Sequence, residues 1–363
     1  TRPLAEFQLA GQNILGKGAP IRKDMPTLAL TKTYEATQAK AARAGFDIEA
    51  AYDNWLPAIL LYKRNFKHPI YDINLSSKEA IKNILQFNPN IIIGGPPCQD
   101  FSSAGKRDEN LGRADLTIAF ANIIKNVLPS FFVMENVDRA SKSKTFLKAK
   151  TIFKKAGYGL SIRILDASLC GVPQLRKRLF VIGQLNGPDG FLDSLLYNKL
   201  SSKPMTLRDY FGSSLGIEHY YRHPRSYKRR GIFSIDEPSP TVRGVNRPIP
   251  NGYPGHAGDP SPITEKIRPL TTKERSMIQT FPESFILDGN KTDVEQIIGN
   301  AVPVKLAEFV ALRLKDFFLQ EGLIAESEFH NRVYTLPVLP KHKRRIGILN
   351  MLRKQRQCAQ NSE

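Results

Sequence analysis

The sequence predicts an α/β fold with a doubly wound, mostly parallel sheet and a second, smaller, loop-rich domain. From Thr27 to Phe180, short apolar runs alternate with stretches of helical periodicity, an order typical of parallel strands with helices on both faces. After Gln184 the chain becomes rich in Gly, Pro, Ser and Tyr, and helical periodicity returns only at Thr272. With 363 residues, the chain is long enough for two such domains.

The individual elements follow from the two periodicities. Short apolar runs predict six strands, which are Thr27–Leu30, Phe46–Ala51, Ile91–Ile93, Phe131–Met134, Ser161–Asp166 and Leu179–Ile182. Apolar residues spaced three and four apart predict helices at Glu35–Ala44, Leu56–Phe66, Lys78–Phe87, Leu116–Val127, Thr145–Ala156, Thr272–Thr280 and Pro303–Leu319. The last helix has the strongest apolar face, which includes Val304, Ala307, Val310, Leu314 and Phe317.

The charge of the chain favours a polyanionic partner. Its formal net charge is +19, and a field of that sign attracts phosphate backbones. Five Lys or Arg residues and no acid lie between His219 and Ser234, with three tyrosines among them, and seven more lie between Lys341 and Arg356. Taken alone, either run is equally typical of a solvated surface or tail.

Cysteine usage and hydropathy argue against several protein classes. The three cysteines, Cys98, Cys170 and Cys358, have no metal-ligand spacing, so no metal is expected. Their odd number argues against a disulfide framework and for a reducing compartment. No apolar run approaches the roughly 18 residues of a membrane span, and no signal peptide is visible. We therefore expect a cytoplasmic protein without a membrane partner.

The most informative residue is Cys98, which follows an apolar strand and the turn Gly94–Pro97. Cysteine is usually a small buried hydrophobe, so the thiol alone indicates little. Glu135 lies at the end of another strand, and Arg176 and Arg178 enter a third. Because residues two apart in an extended chain share a face, both guanidinium groups are expected to point at one ligand. Thiol, carboxylate and guanidinium groups would then meet at one end of the sheet.

Five segments in order resemble the DNA (cytosine-5)-methyltransferase family. They are Gly94 to Ser103, Glu135-Asn136-Val137, Gln174 with Arg176 and Arg178, Arg268 to Phe285, and Gly299 to Val304. The resemblance implies a class I S-adenosylmethionine-dependent methyltransferase fold, which is Rossmann-like. It implies a catalytic and cofactor-binding domain at 24–183 plus 296–322, and a target-recognition domain with its hinge at 184–295. Residues 1–23 are then an N-terminal arm, and 323–363 a basic C-terminal extension.

The resemblance also implies a covalent mechanism. Cys98 would attack C6 of a cytosine that is flipped out of the duplex, which makes C5 nucleophilic. Glu135 would share or donate a proton at N3, because burial at a strand end favours a neutral carboxyl group. Arg178 would donate to O2, and Arg176 would support the base, the phosphate or Glu135.

The implied methyl donor is S-adenosyl-L-methionine, with S-adenosyl-L-homocysteine as the product. Asp53 follows a strand, where such folds place a carboxylate for the ribose hydroxyls. Asp72 and Ile73 correspond to an acidic and apolar pair at the adenine ring. The other expected cofactor contacts are Asn54, Pro96, Leu116, Asn300 and Val302.

One segment departs from the family pattern. The glycine-rich loop that normally follows the first strand is replaced by Thr31 to Thr37, and no glycine occurs between Gly18 and Gly45. Side chains with Cβ atoms restrict φ and crowd a ligand. Cofactor affinity is therefore expected to be reduced, reorganised or absent.

Contacts with double-stranded DNA are expected from two regions. The loop after Cys98, which closes on the flipped base, would contribute Gln99, Ser102, Ser103 and Arg113. The smaller domain and its surroundings would contribute Gln174, Arg225, Arg229, Arg230, Thr241, Val242 and Arg243. Gln174 is also expected to fix its strand. Most of the arginines in this region, which also include Arg222 and Arg247, are expected to neutralise phosphates rather than read bases.

The preferred interpretation is a sequence-specific DNA cytosine-5 methyltransferase of a restriction-modification system, acting as a monomer beside a cognate restriction endonuclease. A tRNA cytosine-5 methyltransferase on the same fold is the first alternative. The second alternative is a DNA-binding protein whose methyl transfer is weakened or lost with the glycine-rich loop.

Overall fold

The centre of the structure is a seven-stranded sheet. The computed structural model describes residues 26–30, 46–96 and 115–323. Its strands are β1 (Pro26–Leu30), β2 (Asp47–Asp53), β3 (Ile70–Asp72), β4 (Ile91–Gly94), β5 (Phe131–Val137), β6 (Tyr158–Asp166), β7 (Gln174–Leu175), β8 (Lys177–Leu185), β9 (His219–Tyr221), β10 (Ile232–Ser234) and β11 (Ser239–Pro240). The order in the main sheet is β3-β2-β1-β4-β5-β8-β6.

The described α-helices cover both faces of this sheet and continue into the later part of the chain. They are α1 (Leu56–Asn65), α2 (Lys78–Leu85), α3 (Asp115–Val127), α4 (Lys144–Lys155), α5 (Asp193–Asn198), α6 (Leu207–Phe211), α7 (Thr272–Ile278), α8 (Lys291–Asn300) and α9 (Val304–Gln320). None of the helices in the described ranges is long and apolar enough to cross a membrane.

Strand β5 shows why the sheet is covered on both faces. Phe131 and Val133 point into one core with α9, while Phe132 and Met134 point into another with α3 and α4. Successive side chains of a strand face opposite sides, so a strand that is apolar at every position must be buried on both. The ring centroids of Phe131 and Phe318 are 4.7 Å apart. The last predicted helix therefore packs against the sheet.

The direction of β8 is the main departure from parallel pairing. Strands β1 to β5 pair in parallel, but β8 runs antiparallel to both β5 and β6. The connection from β6 to β8 spans only residues 167–176, which is too short for the crossover that a parallel pair requires. The predicted mostly parallel α/β sheet is confirmed, with one reversed strand.

The six predicted strands and all of the predicted helices in the described ranges are present, with ends shifted by a few residues. The predicted helix Glu35–Ala44 lies outside the described residues. The sequence analysis missed β3 and the four short strands β7, β9, β10 and β11. Each has only two or three residues, too few to show a periodicity.

The loop-rich part of the chain has a core of its own. Leu207, Tyr220, Phe233, Val242 and Ile278 belong to a hydrophobic cluster separate from the two that cover the sheet. The described residues all belong to one compact unit. The proposed boundary at residue 184 therefore stays a prediction, supported by this separate cluster.

A close crossing of two glycines connects α8 to this part of the chain. A Cβ atom on Gly299 would overlap the main chain of Arg243 and Gly244, and one on Gly244 would overlap the side chain of Gln296. Main-chain atoms cannot move aside as a flexible side chain can, so the crossing requires glycine at position 299.

We therefore expect Gly299→Ala to destabilise the protein. The overlap should cost about 2 kcal/mol, which exceeds the gain of about 1 kcal/mol that alanine brings to a helix interior. Urea unfolding measures the difference. Gly258→Ala is the matched control, because its nearest neighbour would be the His256 ring at 3.2 Å. Equal stability of the two variants would contradict the crossing.

Candidate active site and recognition region

At the edge of the sheet where β5 ends, a carboxyl group and a guanidinium group are in contact. Arg178 Nε lies 2.9 Å from Glu135 Oε1, and the two side chains are only 14% and 10% exposed. The antiparallel register pairs Val137 with Arg178, so β8 begins where β5 ends. This reversal brings the predicted carboxylate and guanidinium together.

Burial dominates the protonation of Glu135. Removal from water raises the pKa of its carboxyl group, while Arg178 and, less strongly, Arg176 lower it, and the net direction is upward. A raised pKa brings the carboxyl group nearer to its neutral form, which can donate a hydrogen bond. The site therefore places a carboxyl group that is protonated more readily than usual beside a guanidinium group.

Asn136 joins this edge to the turn that precedes Cys98. Its Nδ2 donates to the carbonyl oxygen of Pro96 at 3.3 Å, and its Oδ1 accepts from the amide of Val137 at 2.8 Å. Pro96 is buried and is the last described residue before a gap that extends to residue 114. The candidate residues Cys98, Gln99, Ser102, Ser103 and Arg113 and the substituted loop Thr31–Thr37 lie outside the described residues.

Arg176 has a different position from the one expected. It is 2% exposed, and its guanidinium donates to the carbonyl oxygens of Val242, Gly299 and Ala301, each at 3.0 Å. Arg176 separates β7 from β8, so it does not share one continuous strand with Arg178. The prediction that both guanidinium groups point at one ligand therefore differs from the structure, in which Arg176 connects main-chain segments.

Gln174 completes this connection. Its Oε1 accepts from the amide of Val242 at 2.9 Å, and its Nε2 donates to Gln279 Oε1 at 2.8 Å. Gln279 in turn donates to the carbonyl oxygen of Ala301 at 3.0 Å. We call Gln174, Arg176 and Gln279 the buried hub.

One expected DNA contact is corrected by this arrangement, because Gln174 is fully buried and its side chain does not lie where DNA could reach it. Val242 is 5% exposed, and the DNA contact expected of it stays a prediction. The expectation that Gln174 fixes its strand agrees with its hydrogen bonds. Thr241 is half-buried and donates to the carbonyl oxygen of Leu175 at 2.8 Å, which adds another link between β7 and the segment after β11.

The ends of β2 and β3 form the candidate cofactor site. The parallel register places Asp53 directly beside Asp72. Asp53 is buried, and its Oδ1 accepts from the amides of Asn54 and Trp55 at 2.7 and 2.8 Å. Trp55 and Ile73 are half-buried, while Asn54 and Asp72 are exposed. Carboxylates that accept from hydroxyls, beside apolar side chains, fit a nucleoside.

The other expected cofactor residues have different environments. Leu116 is half-buried at the start of α3, and Asn300 is half-buried with its Oδ1 accepting from Gln296 Nε2 at 2.8 Å. The side chain of Val302 is fully buried in the core that includes α9. A cofactor could therefore contact Val302 only through its main chain.

The hairpin of β9 and β10 carries the first basic run. Asp259 fixes one end, because its Oδ1 accepts from the amides of Gly231 and Ile232 at 2.9 and 3.0 Å. Its Oδ2 accepts from the Tyr253 hydroxyl and the His256 amide, both at 2.9 Å. The connection from residue 222 to residue 231 is thereby held against the 253–259 segment.

The basic residues of this region separate into paired and exposed groups. Arg225 and Arg229 are exposed. Arg230 forms an ion pair with Glu237 and lies over the Phe233 ring at 4.4 Å, and the DNA contact expected of it stays a prediction. Arg243 is half-buried and donates to the carbonyl oxygen of His223.

Sequence reasoning did not single out a buried ion pair beneath this region. Arg275 and Glu295 are in contact and are 6% and 4% exposed. Arg275 also donates to the carbonyl oxygen of Arg243. The segment Arg268 to Phe285 was part of the resemblance, but the pairing of a residue on α7 with one on α8 has no local signature in the sequence.

Comparison with known proteins decides the family. Residues 30–316 match the family described as C-5 cytosine-specific DNA methylase, and this match includes both strand edges described above. The chain belongs to this family. It is a sequence-specific DNA cytosine-5 methyltransferase that uses a methyl donor and acts on DNA.

Curated relatives of this methyltransferase are close in sequence. It is 60% identical over 276 residues to the type II methyltransferase M.HindV of Haemophilus influenzae, which covers 76% of this chain and 91% of that protein. It is 54% identical over 279 residues to M.HgiDI of Herpetosiphon aurantiacus, covering 77% and 90%. These findings favour DNA over tRNA as the substrate and an enzyme over a binding protein.

Solved structures of distant relatives show the same fold as this methyltransferase. The Schizosaccharomyces pombe Dnmt2 methyltransferase aligns with a TM-score of 0.60 at 18% identity, over 80% of this chain and 98% of that one. The Entamoeba histolytica methyltransferase EhMeth gives 0.55 at 18% identity, over 83% and 99%.

The raised pKa of Glu135 predicts a pH effect on the stability of the methyltransferase. The folded state holds this proton more tightly than the unfolded chain, whose carboxyl pKa is about 4.3. The stabilisation is therefore full below that value and is lost as pH rises through the folded pKa. We expect the melting temperature of the wild type minus that of Glu135→Gln to fall as pH rises above about 4.

Thermal unfolding of both proteins across this pH range measures the difference, in which groups common to both cancel. An increase of the difference with pH would indicate a lowered pKa and contradict the assignment.

The hub predicts a large loss of stability for Arg176→Lys. A lysine cannot reach three separate carbonyl oxygens with a planar fork, and buried acceptors left unpaired should cost roughly 3 kcal/mol in total. Urea unfolding measures this loss. Arg163→Lys is the matched control, because Arg163 forms a half-exposed pair with Asp193 and should change stability by about 0.5 kcal/mol or less. Similar losses in both variants would contradict the hub.

Proposed function

We propose that the protein transfers a methyl group from S-adenosyl-L-methionine to C5 of a flipped cytosine, through a covalent bond between Cys98 and C6. The observation that carries this proposal is the contact of Glu135 with Arg178 at the end of β5, beside the turn that leads to Cys98. A neutral acid and a guanidinium group at one edge suit N3 and O2 of a cytosine, which lie on the same side of the ring.

The chemistry begins with the Cys98 thiolate, which adds its electron pair to C6. Glu135 donates its proton to N3, and Arg178 donates a hydrogen bond to O2, so the charge pushed into the ring is neutralised where it accumulates. The electron pair at C5 would then form a bond to the methyl carbon as the bond between that carbon and the sulfonium sulfur breaks, which would leave S-adenosyl-L-homocysteine. Return of the N3 proton to Glu135 and loss of the C5 proton to a base would expel the thiolate and regenerate the enzyme.

The ends of β2 and β3 are proposed to hold the methyl donor. The sulfonium centre of S-adenosyl-L-methionine supplies an electrophilic methyl group. Asp53 and Asp72 would accept hydrogen bonds from ribose hydroxyls, and Trp55 and Ile73 would contact the adenine ring. Leu116, Asn300 and the main chain near Val302 complete the proposed set on neighbouring elements.

The second half of the chain is proposed to select the DNA sequence. Residues 184–295 would form the target-recognition domain and hinge, and 24–183 plus 296–322 the catalytic domain. A separate hydrophobic cluster within residues 207–298 supports this division. The type II relatives support a role as the modification enzyme of a restriction-modification system, in which we propose that this protein acts as a monomer beside a cognate endonuclease.

A methyl-transfer assay tests the proposed function. The protein is incubated with tritiated S-adenosylmethionine and either mixed-sequence duplex DNA or tRNA. We expect label in DNA, no detectable label with Cys98→Ala, and a loss of at least 100-fold with Glu135→Gln, since a general acid contributes roughly that factor or more. Ser141→Ala is a control for handling, because Ser141 lies outside both strand edges and bonds only the carbonyl oxygen of Asp138.

Label found only in tRNA would overturn the DNA assignment, and binding of duplex without any label would overturn methyl transfer. Target DNA containing 5-fluorocytosine tests the covalent step separately, because fluorine at C5 cannot leave as a proton does. A wild-type protein that forms no adduct on denaturing gels, although it methylates ordinary DNA, would contradict Cys98 as the nucleophile.

A further inference from the structure

A basic cavity lies in the loop-rich part of the chain. Its wall is formed by β9, β11 with the segment that follows it, and α7. Four guanidinium groups line it, those of Arg222, Arg243, Arg247 and Arg275.

These four arginines differ in how their charges are balanced. Arg275 is in contact with the carboxylate of Glu295. Within the described residues, Arg222, Arg243 and Arg247 form no ion pair with an acid. Arg222 donates to the carbonyl oxygen of Thr241 at 2.8 Å and Arg243 to that of His223, contacts that leave most of their N–H donors unused.

Burial and mutual repulsion both disfavour the positive charges around the cavity. The pKa of Arg222 is lowered to about 9, mainly by burial and then by the charge of Arg243. Burial likewise lowers the pKa of Arg243, with added repulsion from Arg225 and Arg247. The pKa of His223 is lowered by burial and then by Arg247 and Arg243. No acid stabilises the charge of any of the three.

Buried hydrogen bonds connect the wall of the cavity to the strand that carries Arg178. Val242, which lines the cavity, is hydrogen-bonded through its amide to Gln174 and through its carbonyl oxygen to Arg176. Arg176 precedes Arg178 by two residues. A ligand in the cavity would therefore be positioned with respect to the Glu135 site by a chain of buried hydrogen bonds.

We propose that Arg222, Arg243 and Arg247 bind one backbone phosphate of the DNA duplex in this cavity. The inference rests on DNA as the substrate, which belongs to the proposed function. A phosphate carries the charge that the three arginines lack, and its oxygens only accept hydrogen bonds, as their N–H groups require. A base edge is neutral and would leave the mutual repulsion in place.

The consequence for specificity is definite. A phosphate contact fixes the register of the duplex but carries no sequence information. The cavity therefore strengthens binding to every sequence equally, and base reading falls to other side chains.

The test measures affinity for duplex DNA as a function of salt. Arg247→Gln is the main variant, because Arg247 is exposed and makes no hydrogen bond within the described residues. Arg243→Gln is the second. Lys148→Gln, on the exposed side of α4, is the control with the same change in charge. The duplexes are one of random sequence and one containing the site that bisulfite sequencing finds methylated by the wild type.

For Arg247→Gln and for Arg243→Gln we expect the slope of log affinity against log salt to become shallower, by at most about 0.9, the contribution of one whole phosphate contact. Affinity should fall by up to about eightfold at 0.1 M salt, equally for both duplexes. Lys148→Gln should keep the wild-type slope. The free Arg247→Gln protein should melt at the same temperature as the wild type or higher, because it has lost a repulsive charge.

Two results would overturn the proposal. The first is a wild-type slope in both cavity variants, and the second is a loss confined to the methylated sequence, which would assign the cavity to base reading. Neither depends on methyl transfer, since no cofactor is present. Failure of the wild type to bind any duplex would instead contradict DNA as the substrate.

Inorganic phosphate alone should raise the melting temperature of the wild type more than that of Arg243→Gln. Equal shifts of the two melting temperatures would also contradict phosphate binding in the cavity.

Discussion

The arrangement of the whole site depends on one buried guanidinium group. Arg176 lies between β7 and β8, and it donates to carbonyl oxygens of the segment after β11 and of the end of α8. These segments are 66 to 125 residues away along the chain, and local propensity cannot bring them together. Gln174 and Gln279 add hydrogen bonds to the same segments. The strand that carries Arg178 and the loop-rich region are thereby held in a fixed position relative to each other.

The reversed direction of β8 determines the edge of the sheet at which the buried hub and Arg178 lie. In a parallel sheet, strand ends gather at one edge while strand starts gather at the other. Because β8 is antiparallel, its first residues lie at the edge where β4 and β5 end. Arg178 reaches Glu135 there, and Arg176 lies two residues earlier, between β7 and β8. A parallel β8 would have put both arginines at the opposite edge of the sheet.

Much of this was predictable from the sequence. The α/β class and the long strands follow from apolar periodicity, and the return of the last helix was implied by the family resemblance. The meeting of Glu135 and Arg178 at one edge was expected, but the contact itself depends on the reversal of β8, which the apolar pattern does not show. The role of Arg176 did not follow, because a break in the strand changes which way a side chain points. The burial of Gln174 and Val242 and the pairing of Arg275 with Glu295 did not follow either, since both depend on contacts between distant segments. Short strands such as β3 carry too few residues to show a pattern.

The anchoring of the β9–β10 hairpin has an evolutionary consequence. Asp259 holds the end of the hairpin through main-chain amides and through Tyr253, which lies outside the hairpin. The attachment therefore does not depend on the side chains of the residues between β9 and β10. Insertions or exchanges among residues 223–229 would change what the hairpin presents to a partner while its point of attachment stays the same. Such exchanges would leave the strand that carries Arg178 unchanged, because none of the hydrogen bonds that attach the hairpin involves that strand.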